Sequence, residues 1–509
     1  MPVLLLTFVS AAILSMGTNF VFGTISFVSN SVTVVLQLAL SIDYAIILCN
    51  RYKEEHVSLP IREAAIVSLS KAIPEISSSS LTTVGGLIAM MFMQFGIGSD
   101  MAICLIKAIF LSLMSVFLLM PGLLVLFGNL MDKTVHKNFI PKIPFVGKFA
   151  HRTRFIVPPL FVAVLAVFFI LQKHCPYVYG YSTLKTPLLN QYQIADNMIE
   201  ESFGESNFVA LIVPAGNYDK ESRLLRDLDA REEVDFSIGL SNTEAMDGYM
   251  LTDKLSARQF SELLELDYEV AELLYMAYAV NDENYAKLVS GVSTYSVPLI
   301  DMIMFLYEEV EEGYVTLEDD LMNTLESAYQ QMNIAREQLQ GEEYSRMLIY
   351  LNLPEEGEET FAFLDEMRGM ARNYYEEGTV LVVGESTSQY DLCKTFSRDN
   401  TVVNVVSILA VLAVLLFTFK SAGMPVLLII VIQGSIWINF SFPALMKSNL
   451  FFMSYLIVSS IQMGANIDYA IVISGRFMEL KEKMSKKDAI IETMNFAFPT
   501  IITVSYTHL

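Results

Sequence analysis

The sequence predicts a polytopic α-helical membrane protein built from two parallel repeated halves, with an acidic α/β domain and its helical insertion held outside the membrane. Three observations lead there. The 509 residues are 53% hydrophobic with 24 Tyr and 33 Phe, and the mean hydropathy is +0.45, above the range of ordinary soluble domains. The charge is unevenly laid out: residues 173–399 hold 44 Asp and Glu against 15 Lys and Arg, while the rest of the chain holds 12 against 18. The run IDYAI occurs twice, at 42–46 and at 467–471.

Apolar runs long enough to cross hydrocarbon lie near 1–22, 31–50, 76–97, 101–129, 155–171, 400–419, 424–445 and 452–475, and a ninth begins near Phe498. The run at 155–171 is at the lower edge of a spanning length. Residues 131–154 carry Lys133, Lys137, Lys142, Lys148, Arg152 and Arg154 against the single acid Asp132, and the positive-inside bias keeps such a loop cytoplasmic. Counting spans outward from it puts 51–75 and 476–497 on the same side, and both carry Lys and Arg. The same parity puts 172–399 on the outer side of the plasma membrane. The expected segments are therefore transmembrane helices of a first half over 1–130, a basic cytoplasmic linker over 131–154, a helix opening the second half over 155–171, an acidic extracytoplasmic domain over 172–399, and second-half helices over 400–503.

Within the outer domain, 191–203 reads as a helix, Asn207–Val213 as a strand, 219–230 as a helix and Val234–Ile238 as a strand. After an acidic helical stretch at about 256–340 the order returns, with a strand at Met347–Leu353, a helix at 357–376 and a strand at Thr379–Val383. Two β-α-β passes around a helical insertion predict a porter-like, ferredoxin-like domain. Cys175 and Cys393 flank its base and are candidates for a disulfide, a matter the sequence leaves open.

The repeat is the most specific signal. Shifted by 425 residues, Ser41–Ser78 aligns without a gap on Asn466–Thr503, matching Arg51 with Arg476, Glu54 with Glu479, Ala64 with Ala489 and Pro74 with Pro499. Gln37 falls on Gln462, and MPVLL recurs at 1–5 and 424–428. Both copies cross the membrane in the same direction, as parallel repeats do. Met1 corresponds to the internal Met424, and a first outer domain with its preceding helix is expected from the repeat, so the chain is expected to lack both ends. The final run, residues 504–509, abandons the apolar pattern. A common transposon-adapter end translates to the same six residues, so this run is expected to be a sequencing artefact.

Asp43 lies about 12 residues into its span and Asp468 holds the equivalent place, which at roughly 1.5 Å per residue is near mid-bilayer. An ionised carboxylate there costs roughly 2.5–3.5 kcal/mol. Two of them read as a protonatable pair whose neutral forms are favoured by desolvation, with Tyr44 and Tyr469 placed to donate to the opposite carboxylate. The alternative is a neutral Asp bonded to Tyr as helix glue. Gln37 and Gln462 are either support for such a relay or interhelical hydrogen-bonders. Walker, nucleotide-loop, nucleophile-elbow and metal motifs are lacking, and five His form no dyad. No cofactor is expected, so energy is expected from a proton gradient. No basic patch lies on the soluble part, which excludes a nucleic-acid partner.

Duplicated halves, each with an IDYAI run followed by Arg51 or Arg476, resemble the resistance-nodulation-division superfamily, and within it the mycobacterial-membrane-protein-large (MMPL) branch, including its Gram-positive versions. In that family's count of twelve spans, 1–130 would be the third to sixth. The resemblance implies a secondary transporter, not an enzyme, that exports lipids or other hydrophobic or amphiphilic compounds, with Asp43, Tyr44, Asp468 and Tyr469 as the proton relay; it leaves a homo-oligomer open. SecDF-type translocation factors share the architecture but carry a different Asp motif. The competing expectation is a sterol-sensing-like or scaffold membrane protein that binds lipid or a partner without pumping.

Overall fold

In the computed structural model the described residues are 2–133, 144–180, 189–204, 207–281, 291, 294–419 and 422–507, and at 281, 468, 496 and 498–507 the description covers the backbone alone. The chain forms two units. One comprises Met1–Leu184 with Leu392–Leu509, the other Lys185–Asp391.

The first unit opens with α1 (Pro2–Gly17), α2 (Phe27–His56), α3 (Ile61–Met90), α4 (Gly96–Met114) and α5 (Met120–Lys133). The Ser26 hydroxyl caps α2 by accepting from the Val28 amide at 3.3 Å, and Lys53 and His56 lie in its last turn, where the dipole favours them. A π-turn at Ser115–Leu119 joins α4 and α5 into one helix, Gly96–Lys133. The apolar run expected at 76–97 is only the second half of α3. That helix starts after Pro60 and stops at Met90, and the turn that follows is held by Asp399, whose carboxylate accepts from the Gln94 amide at 3.1 Å. The basic linker contains a helix of its own, α6 (Pro144–Arg152), bent by 85° against α7 (Val157–Gln172). Next comes β1 (Tyr177–Val178).

The second unit runs through α8 (Gln191–Phe203), β2 (Asn207–Pro214), α9 (Tyr218–Asp229), β3 (Val234–Ile238), β4 (Glu244–Met246), β5 (Tyr249–Met250), β6 (Lys254–Ser256), α10 (Ala257–Leu264), α11 (Tyr268–Asn281), β7 (Ser296–Pro298), α12 (Leu299–Glu311), α13 (Asp319–Leu339), β8 (Tyr344–Leu351), α14 (Glu358–Arg372) and β9 (Leu381–Gly384). The chain then re-enters the first unit along α15 (Glu385–Phe419), followed by α16 (Gly423–Met446), β10 (Leu450–Phe451), α17 (Phe452–Leu480) and α18 (Lys486–Thr507). Among the described residues six helical segments are long and apolar enough to cross a membrane, or seven if the bent pair α6–α7 is one span.

The helical unit takes in more of the chain than charge alone indicated. Tyr177 and Val178 pair in parallel with Leu450 and Phe451, and the Tyr177 ring packs 4.8 Å from Phe396 and 5.4 Å from Tyr455. The strand after α7 therefore belongs with the bundle. Cys175 and Cys393, the candidate pair, are both free thiols.

In the second unit the strands order as β3-β8-β2-β9, each antiparallel to its neighbours, the arrangement two β-α-β passes make in a ferredoxin-like fold. Val209, Leu211, Val213, Met347 and Ile349 face one side and pack against Leu224 and Leu228 of α9 and Phe363 and Met367 of α14. The insertion builds a separate core around Phe260, Tyr275, Ile303 and Met332. Its core also takes in Leu240, Leu251 and Leu255, so it begins earlier than the expected 256, and two small sheets accompany it, β4-β5 just before that boundary and β6-β7 across it, neither joined to the four-stranded one. Strands of two or three residues are too short for alternation to show, which is why the stretch reads as helical in sequence.

One carboxyl is fully enclosed. Glu221, in the first turn of α9, is 0% exposed and accepts from the Ser241 hydroxyl at 3.3 Å. Burial pushes its pKa above the ordinary 4.5, opposed by the nearby hydroxyls of Ser345 and Ser241. A raised folded value means that its contribution to stability is complete below about 4.5 and is lost as pH rises through the folded value. Glu221→Gln is therefore expected to raise the thermal midpoint relative to the parent more at pH 7.5 than at pH 5. Equal differences at both pH values would show that Glu221 does not titrate across this window.

Candidate functional site

The helix pairs α2–α3 and α17–α18 are the two copies of the gapless repeat, and they interlock across the halves, α3 lying along α17 and α18 against α2. The α3–α17 approach is backbone to backbone. A Cβ on Gly86 would stand 2.7 Å from the Ser460 carbonyl oxygen, and one on Gly464 would stand 2.7 Å from the Thr83 Cα. The hydroxyls of Ser80, Thr82 and Thr83 donate to carbonyls of their own helix, so α3 presents small residues with satisfied donors to its neighbour.

Position 468 lies one turn along α17 from that crossing, and its side chain is outside the described residues. Tyr469 follows it on the same helix. On α2 the equivalent place carries Asp43 and Tyr44 into the bundle interior. Asp43 is 6% exposed and Tyr44 is fully buried.

Gln37 and Gln462 tie helices together in repeat-equivalent ways. The Gln37 amide donates to the Ala11 carbonyl of α1 at 3.0 Å and the Ala108 carbonyl of α4 at 3.3 Å. The Gln462 amide donates to Ser435 of α16 at 3.1 Å and its oxygen accepts from Asn439 at 3.3 Å. Since α1 and α16 share the MPVLL run, each Gln joins an Asp-bearing helix to the helix before it. Ser41 adds a bond to Ser112 at 2.6 Å. Lys107 donates to the Ser15 carbonyl at 2.8 Å and to the Asn19 side chain, placing a cation at the C-terminal end of α1.

Two turns beyond Asp43, the halves diverge. Arg51 pairs with Glu54 at 3.1 Å on its own helix and with Glu75 of α3 at 2.6 Å. Arg476 repeats the first of these, with Glu479 at 2.9 Å. The second has no counterpart in the repeat, which puts Thr500 where Glu75 stands. Arg51, Glu75, Arg476 and Glu479 line a cavity of about 490 Å3, together with Ile47, Asn50, Ser78, Phe419, Ile471 and Val472. Sequence reasoning matched the arginines but missed Glu75; the Glu75-against-Thr500 mismatch inside an otherwise gapless alignment was the available signal.

The profile of the MMPL family matches residues 1–153 and 320–507. No curated protein matches. Among solved structures, SecDF in a super-membrane-facing form is similar with a TM-score of 0.51 at 13% identity, covering 99% of this chain and 52% of that one. SecDF from Thermus thermophilus, described as a translocon-associated membrane protein, gives 0.50 at 13%, covering 99% and 52%. The chain spans about half the length of these structures, and at this identity the likeness shows the fold.

The crossing one turn from position 468 is expected to be intolerant of a single methyl. Gly464→Ala should lower unfolding stability in detergent by about 1–3 kcal/mol through overpacking. Gly369→Ala, in the middle of α14 with open space around it, should raise it by about 0.5–1 kcal/mol. Thermal unfolding of both variants beside the parent checks the pair.

Proposed function

The chain belongs to the MMPL family, and from that premise we propose that it is a secondary transporter of the plasma membrane, driven by the proton gradient, that exports lipids or other hydrophobic or amphiphilic compounds. The observation that carries this reading is the duplicated Asp-Tyr pair on repeat-equivalent helices, with Asp43 only 6% exposed and Tyr44 buried beside it. A buried carboxylate in a membrane helix faces the bundle and marks a proton or ion route. Asp43, Tyr44, Asp468 and Tyr469 are the proposed relay. The bonds of Gln37 and Gln462 give those residues the supporting task of fixing the relay helices against α1, α4 and α16.

Sidedness follows from charge. The Lys- and Arg-bearing ends of the helices, with the linker and α6, are assigned to the cytoplasm, and the acidic stretch of net charge −29 over residues 173–399 to the outside.

Replacing a carboxylate by its amide removes the titration with almost no change in shape. Asp43→Asn and Asp468→Asn are each expected to abolish export driven by an imposed pH gradient in proteoliposomes, while expression and membrane insertion persist. Tyr44→Phe and Tyr469→Phe should slow it by about fivefold, the worth of one hydrogen bond near 1 kcal/mol. A scaffold or lipid sensor would keep its binding in both Asn variants; unchanged gradient-driven export in them would end the relay reading.

A further inference from the structure

The cavity beside Arg51 and Arg476 has three features that together give it a task. Its lining is repeat-symmetric, since Ile47, Asn50 and Arg51 of α2 correspond to Val472, Gly475 and Arg476 of α17, and all six line it. It therefore lies where the two halves meet, on the same line as the Asp-bearing positions. Part of its lining is charged: Arg51, Glu75, Arg476 and Glu479 are all ionisable, and their side chains remain between 22% and 45% exposed. Ion pairs so placed keep water around them. The part nearer the Asp-bearing positions in sequence is aliphatic. Ile47 follows Asp43 by one helical turn, about 6 Å along the axis, and Ile471, only 7% exposed, follows position 468 by three residues. Asp43 itself is not in the lining.

On the other side of this level along α17 the situation is reversed. There α3 and α17 touch through Gly86 and Gly464, with no space for water between the two backbones. Of these two places only the cavity has room for water, and along α2 one helical turn separates its lining residue Ile47 from Asp43.

We propose that the cavity is a hydrated vestibule on the basic side of the membrane, and that Ile47 and Ile471 form the dry layer that separates it from Asp43 and admits water only when the halves shift. A narrow aliphatic layer blocks water and ions by dewetting without any covalent or steric plug. The species it controls are water and the hydronium that water carries. The assignment of Asp43 as the proton acceptor rests on the relay reading above; the vestibule and its dry layer stand on the cavity geometry.

The test has two arms that fail separately. In a chain whose four cysteines are replaced by serine, Asn50→Cys is labelled by a membrane-impermeant cationic thiol reagent in inside-out vesicles, and at least about tenfold more slowly in right-side-out vesicles. The neighbouring arginines favour the reactive thiolate. Absence of labelling from the inner side overturns the vestibule, whatever happens to transport. In proteoliposomes without substrate, Ile47→Ser or Ile471→Ser is expected to raise the proton leak at least about tenfold, and Asp43→Asn in the same chain to suppress it. Parent-level leak in both serine variants, in protein that still labels at Asn50→Cys, overturns the dry layer. A raised leak that survives Asp43→Asn supports the layer as a barrier and removes Asp43 from the route.

Discussion

The close approach of α3 and α17 at Gly86 and Gly464 is the contact on which the helical unit depends. Hydrocarbon offers helices no hydrophobic reason to associate, so they are held by packing, and packing improves steeply when small residues let backbones meet. Here the meeting joins one half of the repeat to the other. It requires glycine at both positions, hydroxyls already bonded within α3, and no larger group between the backbones.

Around that contact the polar side chains divide into two kinds. Gln37, Gln462, Ser41 and Lys107 bond to neighbouring helices and orient them, and the two Gln bonds repeat between halves. The Arg51–Glu75 pair is not matched by an equivalent Glu, since Thr500 holds that place. Arg51 ties α2 to α3 through Glu75, whereas Arg476 pairs with Glu479 along its own helix. The carboxylate that clamps α2 to α3 thus has no repeat counterpart, because Thr500 stands where Glu75 does. An exposed pair is worth little, but Arg51 is only 22% exposed and bridges two helices through a 2.6 Å bond, so it constrains geometry more than a surface pair would.

Much of this was legible in the chain. The repeat, the buried Asp-Tyr position and the strands of the four-stranded sheet follow from spacing, because each expresses a strict period or a rare residue in an apolar run. What was not legible depends on partners distant in sequence. The linker helix α6 is short and basic, and it folds because a groove at Gly147 receives Ile491 of α18, to whose Cα a methyl at Gly147 would come within 2.6 Å. The end of α3 at Met90 is set by Asp399, 305 positions from the amide it caps. Tyr177 and Val178 join the bundle through a strand pairing with residues far down the chain. Gly464 shows the same limit. Its repeat counterpart is Ala39, a small residue but one with a Cβ, so the symmetry that found Asp468 did not single out the glycine one turn away.

The magnitudes indicate where movement belongs on the proposed reading. A proton falling through about 100 mV releases roughly 2.3 kcal/mol, close to the roughly 2.5–3.5 kcal/mol that an ionised carboxylate costs at the centre of a membrane helix. One proton therefore goes most of the way toward setting whether the bundle holds Asp43 charged or neutral. It is not enough to do that and also prise apart a backbone contact whose disturbance by one methyl group already costs about 1–3 kcal/mol. The Gly86–Gly464 crossing is then the pivot that stays closed. The change is taken up at the other end of α2 and α17, which both line a cavity of about 490 Å3 and carry partly exposed ion pairs, Arg51 with Glu75 of α3 and Arg476 with Glu479 of α17 itself. There, small rotations exchange one solvated pair for another and cost little, so a modest input at Asp43 is amplified where the halves are already apart.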